Sequence, residues 1–122
     1  MCKILLSINP DHVENIFNGS KEYEFRKVKC KEPVDKIIIY STAPVMKVVG
    51  EAKVEKVIEG NPIDVWKQTK NKSGIDENFY FDYYKDKFTA IAYKLKEVVQ
   101  YNTPKELSSF GVSVAPQSFV YL

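Results

Sequence analysis

The ionisable chemistry of this chain is concentrated in Gly19-Ser20-Lys21-Glu22-Tyr23-Glu24-Phe25-Arg26. From Glu22 to Lys27 polar and aromatic residues alternate. A strand with a side-chain period of two therefore sends Tyr23 and Phe25 to one face and Glu22, Glu24 and Arg26 to the other. Arg26 is the only arginine among 18 basic residues, so it alone can grip a carboxylate, a phosphate or a base edge through two parallel hydrogen bonds. Glu24, two residues away on the same face, attracts it, and each orients the other across a cleft. The plainer alternative is a solvated surface pair worth about 0–1 kcal/mol. Lys21 lies in the turn after Gly19, where alternation does not fix its direction, and it reads equally as a solvated lysine or a ligand contact.

The candidates for proton transfer are Lys21 and Glu24, and those for ligand binding are Lys21, Glu24, Arg26, Lys27, Tyr40 and Ser41. Lys27 belongs to the run Arg26 to Lys31, four cations in six residues, a track for a few phosphates that Glu32 and Asp35 dilute. Tyr40 and Ser41 stand at a strand end with hydroxyls to offer. His12, the only histidine, receives no role, because a metal site or a serine triad needs partners it lacks. Cys2 and Cys30 make neither a zinc quartet nor a disulfide framework, so no metal and no cofactor is expected.

These residues need elements to position them. Lys3 to Ile8 reads as a mostly buried strand, and Asn9-Pro10-Asp11 opens a helix whose apolar stripe is Val13, Ile16 and Phe17 and whose stop is Asn18-Gly19. Asp35 to Thr42 is a β-branched strand, and Met46 to Ile58 a longer one bent at Gly50. Asn61 caps a second helix bearing Ile63, Val65 and Trp66, Asn71 to Gly74 is a plain turn, and a third helix carries Phe79, Tyr80, Tyr83 and Tyr84 at helical spacing. Such aromatics either stack bases or pack a core, and core packing is the reading taken for Phe79 and Tyr83. Phe81 falls on the other side of that helix. Phe88 to Tyr101 is a long strand, Thr103 to Glu106 a capped helical turn, and Gln117 to Leu122 a closing strand.

With 122 residues, 44% hydrophobic and 28% charged, the chain has the balance of one domain spanning residues 1–122. Its longest apolar run is far short of a membrane span and no cleavable leader is visible, so a cytoplasmic location and no membrane partner are expected. A net charge of +2 is too small for strong binding of duplex DNA by electrostatics alone.

The octet Gly19 to Arg26 fits the G-x-K-x-x-E-x-R signature of the ASCH family. The preceding strand and helix, Tyr40 to Pro44, Val49-Gly50-Glu51, the Trp66 helix, Gly74-Ile75 and Pro116 to Phe119 also resemble its small prokaryotic branch. The resemblance implies an α+β, mainly β fold: a PUA-like five- to six-stranded β-barrel decorated by short helices, with a cleft beside it walled by the signature strand and the first helix. It implies binding of single-stranded RNA or a nucleotide-like small molecule more firmly than catalysis. Some small relatives are amidohydrolases that deacetylate acetylcytidine with a threonine, a lysine and a glutamate. The lysine corresponds to Lys21, but Glu24 stands where the threonine belongs, and a carboxylate cannot open an amide by that route. Near Lys21, Glu24 is instead expected to hold the lysine protonated. Two functions remain: an RNA- or nucleoside-binding module, and a small hydrolase acting on a modified nucleoside or, without metal, on RNA. Oligomeric state is left open.

Overall fold

The computed structural model describes residues 2–122. In chain order the elements are β1 (Lys3–Ile8), α1 (Pro10–Phe17), β2 (Tyr23–Arg26), β3 (Lys36–Ser41), β4 (Lys47–Gly60), α2 (Pro62–Thr69), α3 (Glu77–Tyr83), β5 (Ala90–Lys105) and β6 (Phe119–Tyr121), with 3₁₀ turns at Lys70–Lys72 and Leu107–Phe110. The six strands form one sheet in the order β2-β5-β4-β3-β1-β6 that curls into a half-barrel. The β1–β3 pair is parallel and the other pairs are antiparallel.

The strands are apolar in near-continuous runs because apolar groups cover both faces of the sheet. On one face Ile4, Leu6, Ile8, Ile37, Ile39, Ile91 and Tyr93 pack with Val13 and Ile16 of α1. On the other, Tyr23 and Phe25 lie with Val65 and Trp66 of α2, Tyr80 of α3 and Tyr84 just after it. Further along, Leu5, Ile38, Tyr40 and Val48 lie under Leu107, Phe110 and Val112. Tyr23 and Phe25 are thus buried as the alternation requires.

The caps follow the sequence. Asn9 Oδ1 accepts from the Asp11 amide at 2.9 Å and Asn61 Oδ1 from the Asp64 amide at 2.9 Å, each just before a proline that opens the helix. Gly19 takes φ +87° after α1. At Gly50 the β3 and β5 registers both shift, and an added Cβ would stand 2.4 Å from the Val99 carbonyl oxygen and 2.7 Å from the Phe17 ring. The bend expected there is a close approach that only glycine permits.

Three expectations are corrected. The helical turn assigned to Thr103–Glu106 is the end of β5, whose Lys105 pairs with Val48, and the turn comes later, at Leu107–Phe110. Cross-strand pairing overrides the local capping pattern. Phe88 precedes β5 and is 92% exposed. Phe79, taken for core, is 48% exposed, while Tyr83 is half-buried; the core residues here are Tyr80 of α3 and Tyr84 just after it. Phe81, on the other side, is used as well, its ring meeting Trp66 edge-on at 6.1 Å.

Candidate functional site

The end of β1, the first turn of α1, the Lys21–Arg26 stretch and α3 enclose a cleft of about 190 Å³. Its walls include Ser7, His12, Lys21, Glu24, Phe25, Arg26, Phe79 and Tyr83. This is below the roughly 300–1,000 Å³ of a drug-sized pocket, and is the scale of one planar ring or one phosphate group.

Lys21 is 2% exposed. Its position is fixed locally: its amide donates to the Asn15 carbonyl at the end of α1 at 3.0 Å, and Gly74 lies directly against its side chain. Gly74 has φ +70°, and a Cβ there would fall 2.3 Å from the Lys21 Cβ. The lysine ammonium donates to the Ser73 carbonyl at 3.1 Å, sits 4.0 Å from Glu24 Oε1, and lies 4.8 Å from the centre of the Phe25 ring. Of its three N–H groups one has a protein acceptor within hydrogen-bond distance. Burial therefore lowers the Lys21 pKa from its ordinary 10.5, more than Glu24 raises it, and Arg26 lowers it further. Glu24, at 4.0 Å, favours the ammonium as the sequence led one to expect, and it compensates part of the desolvation.

Glu24 spends its other oxygen on Arg26. Oε2 accepts from Arg26 Nη2 at 2.6 Å and from Nε at 3.1 Å, with both side chains largely buried. The surface-pair alternative is thereby set aside. Arg26 Nη2 also donates to the Ser7 carbonyl at 2.8 Å and Nη1 to Ser118 Oγ at 3.4 Å. β2 and β6 are the two edges of the sheet, so the guanidinium laces β2 to the end of β1 and to the segment entering β6. Four of its five N–H groups are engaged and one, on Nη1, is left for a ligand.

His12 belongs to this site, contrary to its reading as a residue without a role. Its ring meets Phe79 edge-on at 5.4 Å, and Nδ1 is buried without a hydrogen-bond partner. Burial, and then the charge of Lys21, lower its pKa from 6.5, which keeps the imidazole neutral at pH 7. Burial likewise raises the Tyr83 hydroxyl. Lys27 is exposed at the rim, its ammonium 4.5 Å above the Tyr83 ring. The rest of its run turns away: Lys29 pairs with Glu59 at 3.3 Å.

Two sequence candidates lie elsewhere. Tyr40 is buried with Leu5, Ile38 and Val48, and Ser41 lines a separate groove beside Val13 and Phe17. Both stand on β3, with β1 between them and the cleft edge. Sequence reasoning also missed Ser73 and Gly74, whose Asn-Lys-Ser-Gly setting reads as an ordinary turn. His12 carried one usable signal, its place in the first helical turn after the strand that walls the cleft. Among the described residues no three His, Cys, Asp or Glu side chains come together as a metal site, and no helix is long and apolar enough to cross a membrane.

Residues 3–119 match the family model described as Domain of unknown function (DUF365). Over 120 residues, 98% of the chain, it is 34% identical to a Ureaplasma parvum protein named ATP synthase subunit alpha and 32% identical to one named large ribosomal subunit protein uL22 from the same species. It spans 15% and 39% of their lengths. A Zymomonas mobilis protein named ASCH domain-containing ribonuclease is 29% identical over 94 residues, 76% of this chain and 64% of that one. The crystal structure of ASCH from Zymomonas mobilis superposes with a TM-score of 0.89 at 26% identity, covering 98% of this chain and 87% of that one. A tyrosine-to-phenylalanine mutant of the same protein gives 0.89 and a serine-to-alanine mutant 0.87.

Proposed function

This chain belongs to the family described as Domain of unknown function (DUF365) and carries the ASCH domain, and from that premise we propose that it binds single-stranded RNA at the β1–β2 cleft and cuts it there. The observation that carries the reading is Lys21: an ammonium nearly sealed from water, under-supplied with acceptors and lowered in pKa, beside a neutral histidine and a bound arginine. Binding alone does not call for a desolvated lysine, whereas proton transfer does, and perturbed titrations gather where proton transfer is done. The likeness to a protein named a ribonuclease supports the same choice.

The step assigned to these residues is cleavage through the neighbouring 2′-hydroxyl. His12 accepts the hydroxyl proton and the oxygen attacks the adjacent phosphorus. The bond from phosphorus to the 5′ oxygen breaks, and the departing oxygen takes a proton from the Lys21 ammonium. The products are a 2′,3′-cyclic phosphate and a 5′-hydroxyl. Lys21 and the remaining N–H of Arg26 stabilise charge developing on the non-bridging oxygens. Glu24 positions both cations, and Phe79 and Tyr83 offer ring faces to a base. A cleft of about 190 Å³ holds the reacting phosphate, with the flanking nucleosides outside it.

The test is digestion of a 12-mer of uridine and of its 2′-deoxy counterpart by the purified protein and by Lys21→Met. Cleavage of the ribo strand alone, slowed at least a hundredfold in the variant, is expected. Equal cleavage by parent and variant contradicts the reading. An uncut ribo strand that nonetheless binds returns the domain to the binding-module alternative.

A further inference from the structure

A second feature lies outside the cleft. Lys3, Lys36, Lys53 and Lys96 occupy one register position on four adjacent strands: Lys3 pairs with Lys36 across β1–β3, Lys36 with Lys53 across β3–β4, and Lys53 with Lys96 across β4–β5. Partners in register point to the same face of a sheet. All four line a single hollow of about 620 Å³, together with Asp35 and Val54. At a strand spacing of about 4.8 Å the row is about 14 Å long.

Folding does not account for such a row. Like charges directly opposite each other on neighbouring strands are destabilising. Lysines do protect exposed sheet edges from further pairing, but β3, β4 and β5 are interior strands. Three local carboxylates stand against the four lysines, and only two of them form ion pairs with the row. Glu51 holds Lys36 at 2.8 Å and Glu97 holds Lys53 at 3.3 Å, while Glu51 is also committed to the Tyr101 hydroxyl at 2.8 Å. Asp35 accepts from the Cys2 amide at 3.1 Å. Among the described residues Lys3 and Lys96 form no ion pair. In a chain with a net charge of only +2, the hollow is a local concentration of positive charge with its two end members unpaired.

We infer that this row of four lysines is a second phosphate-binding surface, one that holds the backbone of a single-stranded RNA at a place separate from the cleft. The linear spacing suits successive phosphates of one strand, and ammonium groups on flexible stems follow a backbone without reading its sequence. This surface adds affinity for long strands and leaves a dinucleotide, which engages the cleft alone, unaffected. The inference shares with the proposed function only the polymer. It is tested by binding, so a domain that holds RNA here without cutting it leaves the inference standing.

The experiment uses a 2′-O-methylated 12-mer of uridine, which cannot be cut through the 2′ position, with anisotropy read at several salt concentrations. The variants are Lys3→Gln/Lys96→Gln, the charge-preserving Lys96→Arg, and Lys67→Gln/Lys70→Gln on α2 and the turn after it. The end-lysine double variant should bind roughly tenfold more weakly. Its slope of log affinity against log salt should be shallower by about 1.4, at about 0.7 per lost phosphate contact. Lys96→Arg and the α2 pair should match the parent, and melting of the double variant should not fall. An unchanged slope, or an equal loss in the α2 pair, overturns the inference. Tripolyphosphate bound more tightly than the 12-mer would give the hollow to a small polyphosphate and overturn the RNA assignment.

Discussion

The cleft and the lysine row hold charge in opposite ways. In the cleft three charged groups are largely buried and lean on one another and on two carbonyls, and burial lowers the pKa of Lys21. In the row, the end lysines and Lys53 are exposed and the charges are answered one by one or left open. Burial makes a few charges reactive and expensive to disturb, because each lost partner leaves a desolvated ion. Exposure makes many charges cheap to change and sensitive to salt. One region is built for chemistry and the other for adhesion, and substitutions should separate them.

The largest separation is in turnover. Lys21→Met, which fills the same volume without charge, should lower the rate on a uridine dinucleotide by about 10²–10⁴-fold with little loss of stability, while Lys96→Met leaves that rate unchanged. Kinetics together with a thermal melt of each variant check both halves.

Next in size is Arg26→Ala. Removing one partner of a buried pair and the lacing between the sheet edges should cost roughly 3 kcal/mol in urea unfolding. Lys53→Ala should stay within about 0.5 kcal/mol of the parent. Equal losses would erase the contrast between the regions.

Gly74→Ala reaches the cleft without touching a charge. The new methyl group must displace Lys21 and occupy a left-handed backbone, for a cost of about 1–3 kcal/mol. The alkaline limit of activity should then rise towards that of an ordinary lysine if the displaced side chain gains water.

The smallest effect is one of pH. Burial lowers the His12 pKa below its ordinary 6.5, so between the two values the unfolded chain binds more protons than the folded one. Stability therefore declines as pH falls from 6.5 through the lowered value, and His12→Gln should flatten that segment of the melting curve. Turnover follows the same groups. It falls in acid as His12 takes a proton, and falls in alkali as Lys21 loses one, at a pH below 10.5. No exposed lysine of the row should leave a mark on that profile.

Local signals made most of the fold legible. The Asn-Pro caps, the left-handed Gly19 and the period-two alternation through Tyr23 and Phe25 each act within a few residues, and each stands where the pattern put it. The Glu24–Arg26 pairing came from the same alternation. Hidden was whatever depends on a second segment. His12 lines the cleft, and Ser73 and Gly74 hold Lys21 in place, only because α1 and the turn after α2 fold against that lysine. Tyr40 carried the same hydroxyl signal as a ligand contact and is claimed by a core cluster instead. The lysine row is invisible in the sequence, where its members lie 33, 17 and 43 residues apart and come together only through strand register.

The central claim, that the cleft cuts RNA through its own 2′-hydroxyl, is tested most directly by the chemistry of the ends it leaves. A mass spectrum of the fragments from an all-ribo 12-mer should show 2′,3′-cyclic phosphate on one side of each cut and a free 5′-hydroxyl on the other. Fragments carrying 5′-phosphates, the mark of direct attack by water, would contradict the account.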